Sequence, residues 1–141
     1  MRIMALYNKT MASIFSRIIN GELPAYKVHE DDKTLAIMDI NPIQKGQILV
    51  VPKTGVSFIW DMNSEDYQAL MATVKQAGIK IREIFPDKAR VGVIIEGLEV
   101  VDHAHVKVFP FSTASEFHHL PDPKEAPSME ELQQLAQRLA F

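Results

Sequence analysis

Hydrophobic positions change their period several times along the chain, and each change marks an element. In "SIFSRIINGELP", Ile14, Phe15, Ile18 and Ile19 share one helical face behind Ser13, a residue able to cap, and Gly21 with Pro24 stops the run. The pattern then shortens. "AYKVHE" and "TLAIMDI" read as strands joined by the polar turn "DDK", and "NPIQKGQ" turns the chain into a third strand, "ILVVP". Asn63 or Ser64 opens the longest periodic stretch, in which Tyr67, Leu70, Met71, Val74, Ala77, Ile81, Ile84 and Phe85 recur at helical spacing before Pro86. Two more strands, "ARVGVIIE" and "HAHVKVFP", are split by a turn around Gly97. From Ser112 to Pro127 the chain is polar and proline-rich. Ser128 and Glu131 then stand in capping-box positions for a last helix that turns Leu132, Leu135 and Leu139 inward.

These elements predict an α+β fold: an antiparallel sheet of about five strands with one long helix packed on it, a short N-terminal helix and a C-terminal helix. Residues 1–12 read as an N-terminal extension, 13–111 as the domain, and 112–141 as a tail carrying the terminal helix. Composition sharpens this little. The chain has 141 residues, 47% hydrophobic and 23% charged, which is ordinary for a soluble domain able to bury a core. A formal net charge of -3 gives no basic excess for a nucleic-acid partner. The absence of cysteine excludes disulfides and thiolate metal sites. The longest apolar runs are too short to cross a bilayer, and the N-terminus lacks the features of a signal peptide, so a cytoplasmic protein without a membrane partner is expected.

The chemistry concentrates in "VVDHAHVKVFPF". If the strand is regular, His103, His105 and Lys107 project from one face and Ala104, Val106 and Val108 from the other. Such a file can be a wetted sheet face, a metal site or a site for an anion. Lys107 disfavours metal, because its ammonium repels a cation, whereas imidazoles and an ammonium together stabilise phosphate charge. Asp39 in "MDINP" can close a turn before Pro42 or accept hydrogen bonds from a ligand.

Read together, H-x-H-x-K with apolar x, "DINP", "GQILVVPK" and "SIFSRIINGELPAYKV" resemble the histidine triad (HIT) superfamily, and within it the Hint-like branch of nucleotide hydrolases. The resemblance runs from about Ser13 to Pro110. It implies a purine nucleotide bound over the histidine strand, with His105 as the nucleophile that forms a covalent nucleotidyl-imidazole. It makes the backbone carbonyl of His103 the support for that ring and the His103 side chain a phosphate contact. Lys107 would neutralise charge, and Asp39 would accept the ribose hydroxyls. Phe15, Ile18, Ile37 and Ile40 would line the base pocket, although each is also a good core residue. Glu99 falls where relatives carry a phosphate-facing amide and is counted among the nucleotide-binding residues. "GLEVVDH" has one residue more than the relatives' spacing, which predicts a bulge before His103.

Three departures from the family pattern bear on chemistry. Lys107 replaces the third histidine, which leaves covalent chemistry possible but its acceptor open, since a lysine shuttles protons poorly near neutral pH. Gln47 stands where many relatives have histidine. Ser13 and Ser16 stand where zinc-bearing relatives place cysteines, so a metal-free site is expected, with no cofactor beyond magnesium arriving on substrate phosphates. The resemblance therefore implies a hydrolase or nucleotidyl transferase acting on purine nucleoside 5'-phosphoramidates or dinucleoside polyphosphates, and a homodimer. A nucleotide-binding regulator with weak catalysis is the alternative, and a scaffold with a polar sheet face is a third reading. His29, His118 and His119 read as surface residues.

Overall fold

The computed structural model describes residues 13–97 and 102–141. The elements are α1 (Ile14–Ile19), β1 (Lys27–Glu30), β2 (Thr34–Met38), β3 (Ile48–Pro52), α2 (Ser64–Ile84), β4 (Arg90–Ile94), β5 (Val106–Phe111), α3 (Ala114–Phe117) and α4 (Met129–Leu139), with short 3-10 turns at Ile59–Asp61 and Pro123–Glu125. The five strands form one antiparallel sheet in the order β1-β2-β3-β5-β4. This is the predicted α+β architecture. The predicted N-terminal extension falls outside the described residues.

Caps set where the helices begin. Ser13 Oγ accepts from the Ser16 amide to start α1, Asn63 from the Asp66 amide to start α2, and Ser128 with Glu131 closes a reciprocal capping box on α4. Every residue of β2 and β3 is buried, so their near-continuous apolar runs have to be covered on both faces. On one face Ala36, Met38, Ile48, Val50, Val106 and Val108 meet Leu70, Val74, Ala77 and Ile81 of α2. Leu132, Leu135, Ala136 and Leu139 of α4 join that same core, so the terminal helix belongs to the main hydrophobic unit although the family resemblance stops before it. On the other face Leu35, Ile37, Leu49 and Val51 meet Phe15 and Ile18 of α1, with the partly buried Ile19, Leu23 and Ala25 against them. Lys107 pairs with Leu49 and therefore stands on that thinly covered second face.

One expectation is corrected here. The sequence places His103 and His105 inside the last strand, but β5 begins at Val106. Before it, the Ala104 amide donates to the Val56 carbonyl at 2.7 Å, so this stretch hydrogen-bonds to the loop after β3 instead of continuing the sheet ladder. His103 and Ala104 are consecutive and both buried, which a regular alternating strand with one open face would not give. The strand also runs one residue past the predicted stop, because Pro110 pairs with Val91 where β3 no longer flanks β5.

Gly46 is constrained twice, by a φ of 93° and by the Phe85 ring, whose Cε2 lies 2.6 Å from where a Cβ would be. Gly21 shares the left-handed backbone, with φ 78°, but has open space around it. Gly21→Ala is expected to cost about 1 kcal/mol and Gly46→Ala roughly 2 kcal/mol or more, read from urea unfolding midpoints. Equal costs would mean that the Phe85 contact constrains nothing.

Candidate active site

The site begins at the cap of α1. Besides holding the helix start, Ser13 Oγ lies 3.0 Å from His103 Nδ1, and Ser16 Oγ lies 3.3 Å from the same nitrogen. The other ring nitrogen of His103, Nε2, is 2.7 Å from the Pro52 carbonyl. A carbonyl can only accept, so Nε2 carries the proton and Nδ1 accepts from a serine hydroxyl. That is a neutral imidazole. Burial, the largest influence, pushes the His103 pKa below its ordinary 6.5, and the bond to Pro52 opposes the shift. At 1% exposure and with both nitrogens engaged, the His103 ring offers no free polar atom to a phosphate. The side chain expected to contact phosphate is therefore engaged with Ser13 and Pro52 in this structure.

What His103 presents is its backbone. Its carbonyl accepts from His105 Nδ1 at 2.9 Å, so the second imidazole is also fixed in one tautomer. Nδ1 therefore carries a proton, and His105 Nε2 has no hydrogen-bond partner among the described residues. His105 is half-buried, and its ring packs against Phe15 with centroids 5.2 Å apart. Phe15 also lines the neighbouring cleft of about 310 Å³, together with Ile18, Ile37, Asp39, Ile40 and Leu49. All four apolar residues expected at a base pocket thus meet at one concavity, with Asp39 on its wall and the His105 ring behind Phe15.

Asp39 is held by its own loop. Its Oδ1 accepts from the Asn41 amide at 2.9 Å, and its Oδ2 accepts from Gln47 Nε2 at 2.7 Å. Gln47 Oε1 accepts in turn from the Ile43 amide at 2.9 Å, and Gln47 is 1% exposed. This buried amide ties both ends of the "DINPIQKGQ" loop to the carboxylate, a role that spacing could not reveal. Two roles at Asp39 that looked like alternatives coexist: it closes the turn before Pro42 and keeps spare lone pairs on both oxygens.

Lys107 is not a free cation. Its ammonium pairs with Glu96, a residue the sequence did not single out. Glu96 also lines a second cleft, of about 220 Å³, on whose wall His103, Ala104 and His105 lie. Glu99, and the bulge predicted before His103, fall on or beside residues 98–101, outside the described residues. His118 and His119 are exposed as expected, with His119 paired to Glu125 at 3.0 Å. His29 is not simply solvated: its ring stacks on Phe141 at 4.6 Å and bonds to Asp31 at 2.9 Å.

Zinc does not fit here. The groups facing His103 Nδ1 are two neutral serine hydroxyls, which are poor zinc donors, and among the described residues no cluster of three or more His, Asp or Glu side chains could hold a metal ion. No helix among them is long and apolar enough to cross a membrane.

Residues 20–113 match the family model described as "HIT domain". An uncharacterised HIT-like protein of Borreliella burgdorferi is 39% identical over 71 residues, a match covering 50% of this chain and about half (51%) of that protein. The adenosine 5'-monophosphoramidase hnt1 of Schizosaccharomyces pombe is 31% identical over 104 residues, covering 71% of this chain and 74% of that protein. The crystal structure of a Hit-like protein from Bartonella henselae superposes with a TM-score of 0.79 at 25% identity, over 91% of this chain and 93% of that one.

Two outcomes follow from the hydrogen-bond chain. In NMR titrations the His103 ring is expected to take up its proton only below pH 6.5, and a midpoint at or above 6.5 would contradict the buried neutral ring. By linkage, the unfolded chain then binds the proton first, so this residue lowers stability as pH falls through 6.5 toward the depressed folded value. Gln47→Leu is expected to weaken AMP binding about tenfold in calorimetric titrations while changing binding of the 2',3'-dideoxy analogue much less. Equal losses for both ligands would detach Gln47 from the work of Asp39.

Proposed function

Because the chain belongs to the histidine triad (HIT) family, we propose that it is a nucleotide hydrolase or nucleotidyl transferase working through a covalent intermediate on His105. The observation that carries this reading is the bond from His105 Nδ1 to the His103 carbonyl, which assigns the proton of the neutral ring to Nδ1 and leaves Nε2 without a hydrogen-bond partner among the described residues. An imidazole in that state is a nucleophile near neutral pH. The purine would occupy the cleft of Phe15, Ile18, Ile37 and Ile40, its ribose hydroxyls would donate to Asp39, and the α-phosphate would reach His105. Nε2 then forms a bond to phosphorus as the phosphorus–leaving-group bond breaks, and the departing amine or phosphate carries the electron pair away and takes up a proton. Water next attacks the same phosphorus, the bond to Nε2 breaks, and a nucleoside 5'-phosphate leaves with His105 restored. Lys107 supplies positive charge next to the reacting group, held by Glu96.

Substrates of this kind are purine nucleoside 5'-phosphoramidates or dinucleoside polyphosphates. The name of the fission-yeast relative, a monophosphoramidase, supports the first. A homodimer fits the molecule's edge: β4 is the last strand of the sheet, and Val93 on it and Ile79 on α2 are 43% and 47% exposed. The second reading, a nucleotide-binding regulator with weak turnover, has one observation in its favour, namely that the cation at the third triad position is already paired.

Incubation with a fluorogenic adenosine phosphoramidate and with diadenosine polyphosphates separates the two. The hydrolase reading expects turnover that falls about a thousandfold or more in His105→Ala, with the nucleotide still bound. Tight nucleotide binding without turnover in the parent protein would favour the regulator.

A further inference from the structure

We propose that Glu96, through its ion pair with Lys107, sets the charge of the leaving group that the site accepts, favouring an uncharged amine over a phosphate chain. The inference rests on the nucleotide-hydrolase reading above and selects within its substrate range.

Three observations carry it. The register of β4 against β5 ends with Ile94 opposite Lys107, and the chain just past β4 brings the Glu96 carboxylate onto the Lys107 ammonium. Glu96 and His105 do line one cleft, so the carboxylate stands beside the nucleophile rather than at a remote surface. Second, the pair is partly shielded from water, with the Lys107 and Glu96 side chains 16% and 30% exposed, which strengthens its field relative to an open surface pair. Third, the remaining ring of the file is neutral, because His103 donates to Pro52 and is kept from protonation by burial. Among the described residues the phosphorus-facing end therefore holds one cation and one anion, with no net positive charge.

A nucleoside phosphoramidate brings a single negative charge at phosphorus, which the Lys107 ammonium can meet. Each added phosphate of a polyphosphate brings a further charge, and Glu96 opposes the attraction that Lys107 offers it. Among the described residues the walls of this cleft hold no lysine or arginine and include Phe58, Ile59, Trp60 and Ile95. Such walls suit the carbon body of an amine, and Trp60, 83% exposed, adds an aromatic face at that side. A phosphate chain would desolvate there without compensation.

The test is a charge ladder. Adenosine, AMP, ADP and ATP are titrated calorimetrically, without magnesium, into the full chain and into Glu96→Gln and Glu96→Asp. The parent protein is expected to bind ATP no more tightly than AMP. Glu96→Gln is expected to gain about tenfold for ATP relative to adenosine, while Glu96→Asp, which keeps the charge, restores the parent ladder. In turnover, Glu96→Gln shifts the kcat/KM ratio of diadenosine tetraphosphate over an adenosine phosphoramidate of an aromatic amine in the same direction. An unchanged ladder in Glu96→Gln with adenosine and AMP still bound overturns this proposal and leaves the hydrolase reading standing. Failure of the parent to bind any adenine nucleotide overturns both.

Discussion

One hydrogen bond organises the site: the His103 carbonyl takes the Nδ1 proton of His105 and so decides which nitrogen of that ring carries a lone pair. The carbonyl is useful only if it stays in place, and the contacts of the His103 ring hold it there. Its Nε2 is anchored to Pro52 at the end of β3, and its Nδ1 to the serine that caps α1. Helix cap, strand end and the His105 ring are therefore coupled through a single buried imidazole. Loss of any of the three would free a ring whose chemistry depends on being fixed.

The rest of the fold explains why the site lies on this face. Helices α2 and α4 cover the central strands on the opposite face, although Val93 of β4 stays 43% exposed there, whereas short α1 covers only part of the second face, which leaves an open cleft beside Phe15. The loop from Asp39 to Gln47 closes one side of that room, and Gly46, packed against Phe85 at the end of α2, ties the loop to the main core. The candidate site is thus held on one side by helix capping and on the other by a buried amide network.

Much of this was legible in the residues. β3 and α2 were readable nearly to their ends, because continuous apolar runs and one long 3.6-residue stripe leave few alternatives. The caps at Ser13, Asn63 and Ser128 follow from local chemistry alone. The start of β5 was not legible, since Ala104 prefers a carbonyl in the loop after β3 that lies far away in sequence. His103 looked like a phosphate ligand because alternation is a local rule, whereas its burial depends on Ser13 and Pro52, both distant along the chain. Glu96 and the clamp by Gln47 escaped for the same reason: each acts through a partner that only the folded register or loop brings near.

The central claim is the state of one ring at neutral pH, and nitrogen NMR reads it directly. In long-range nitrogen–proton spectra of the uniformly labelled protein, the neutral form of that imidazole is predicted to be the Nδ1–H tautomer, with Nε2 at the shift of an unprotonated nitrogen. A spectrum placing the proton on Nε2 would leave the ring without an available lone pair toward the cleft, and the account of His105 as nucleophile would fail with it.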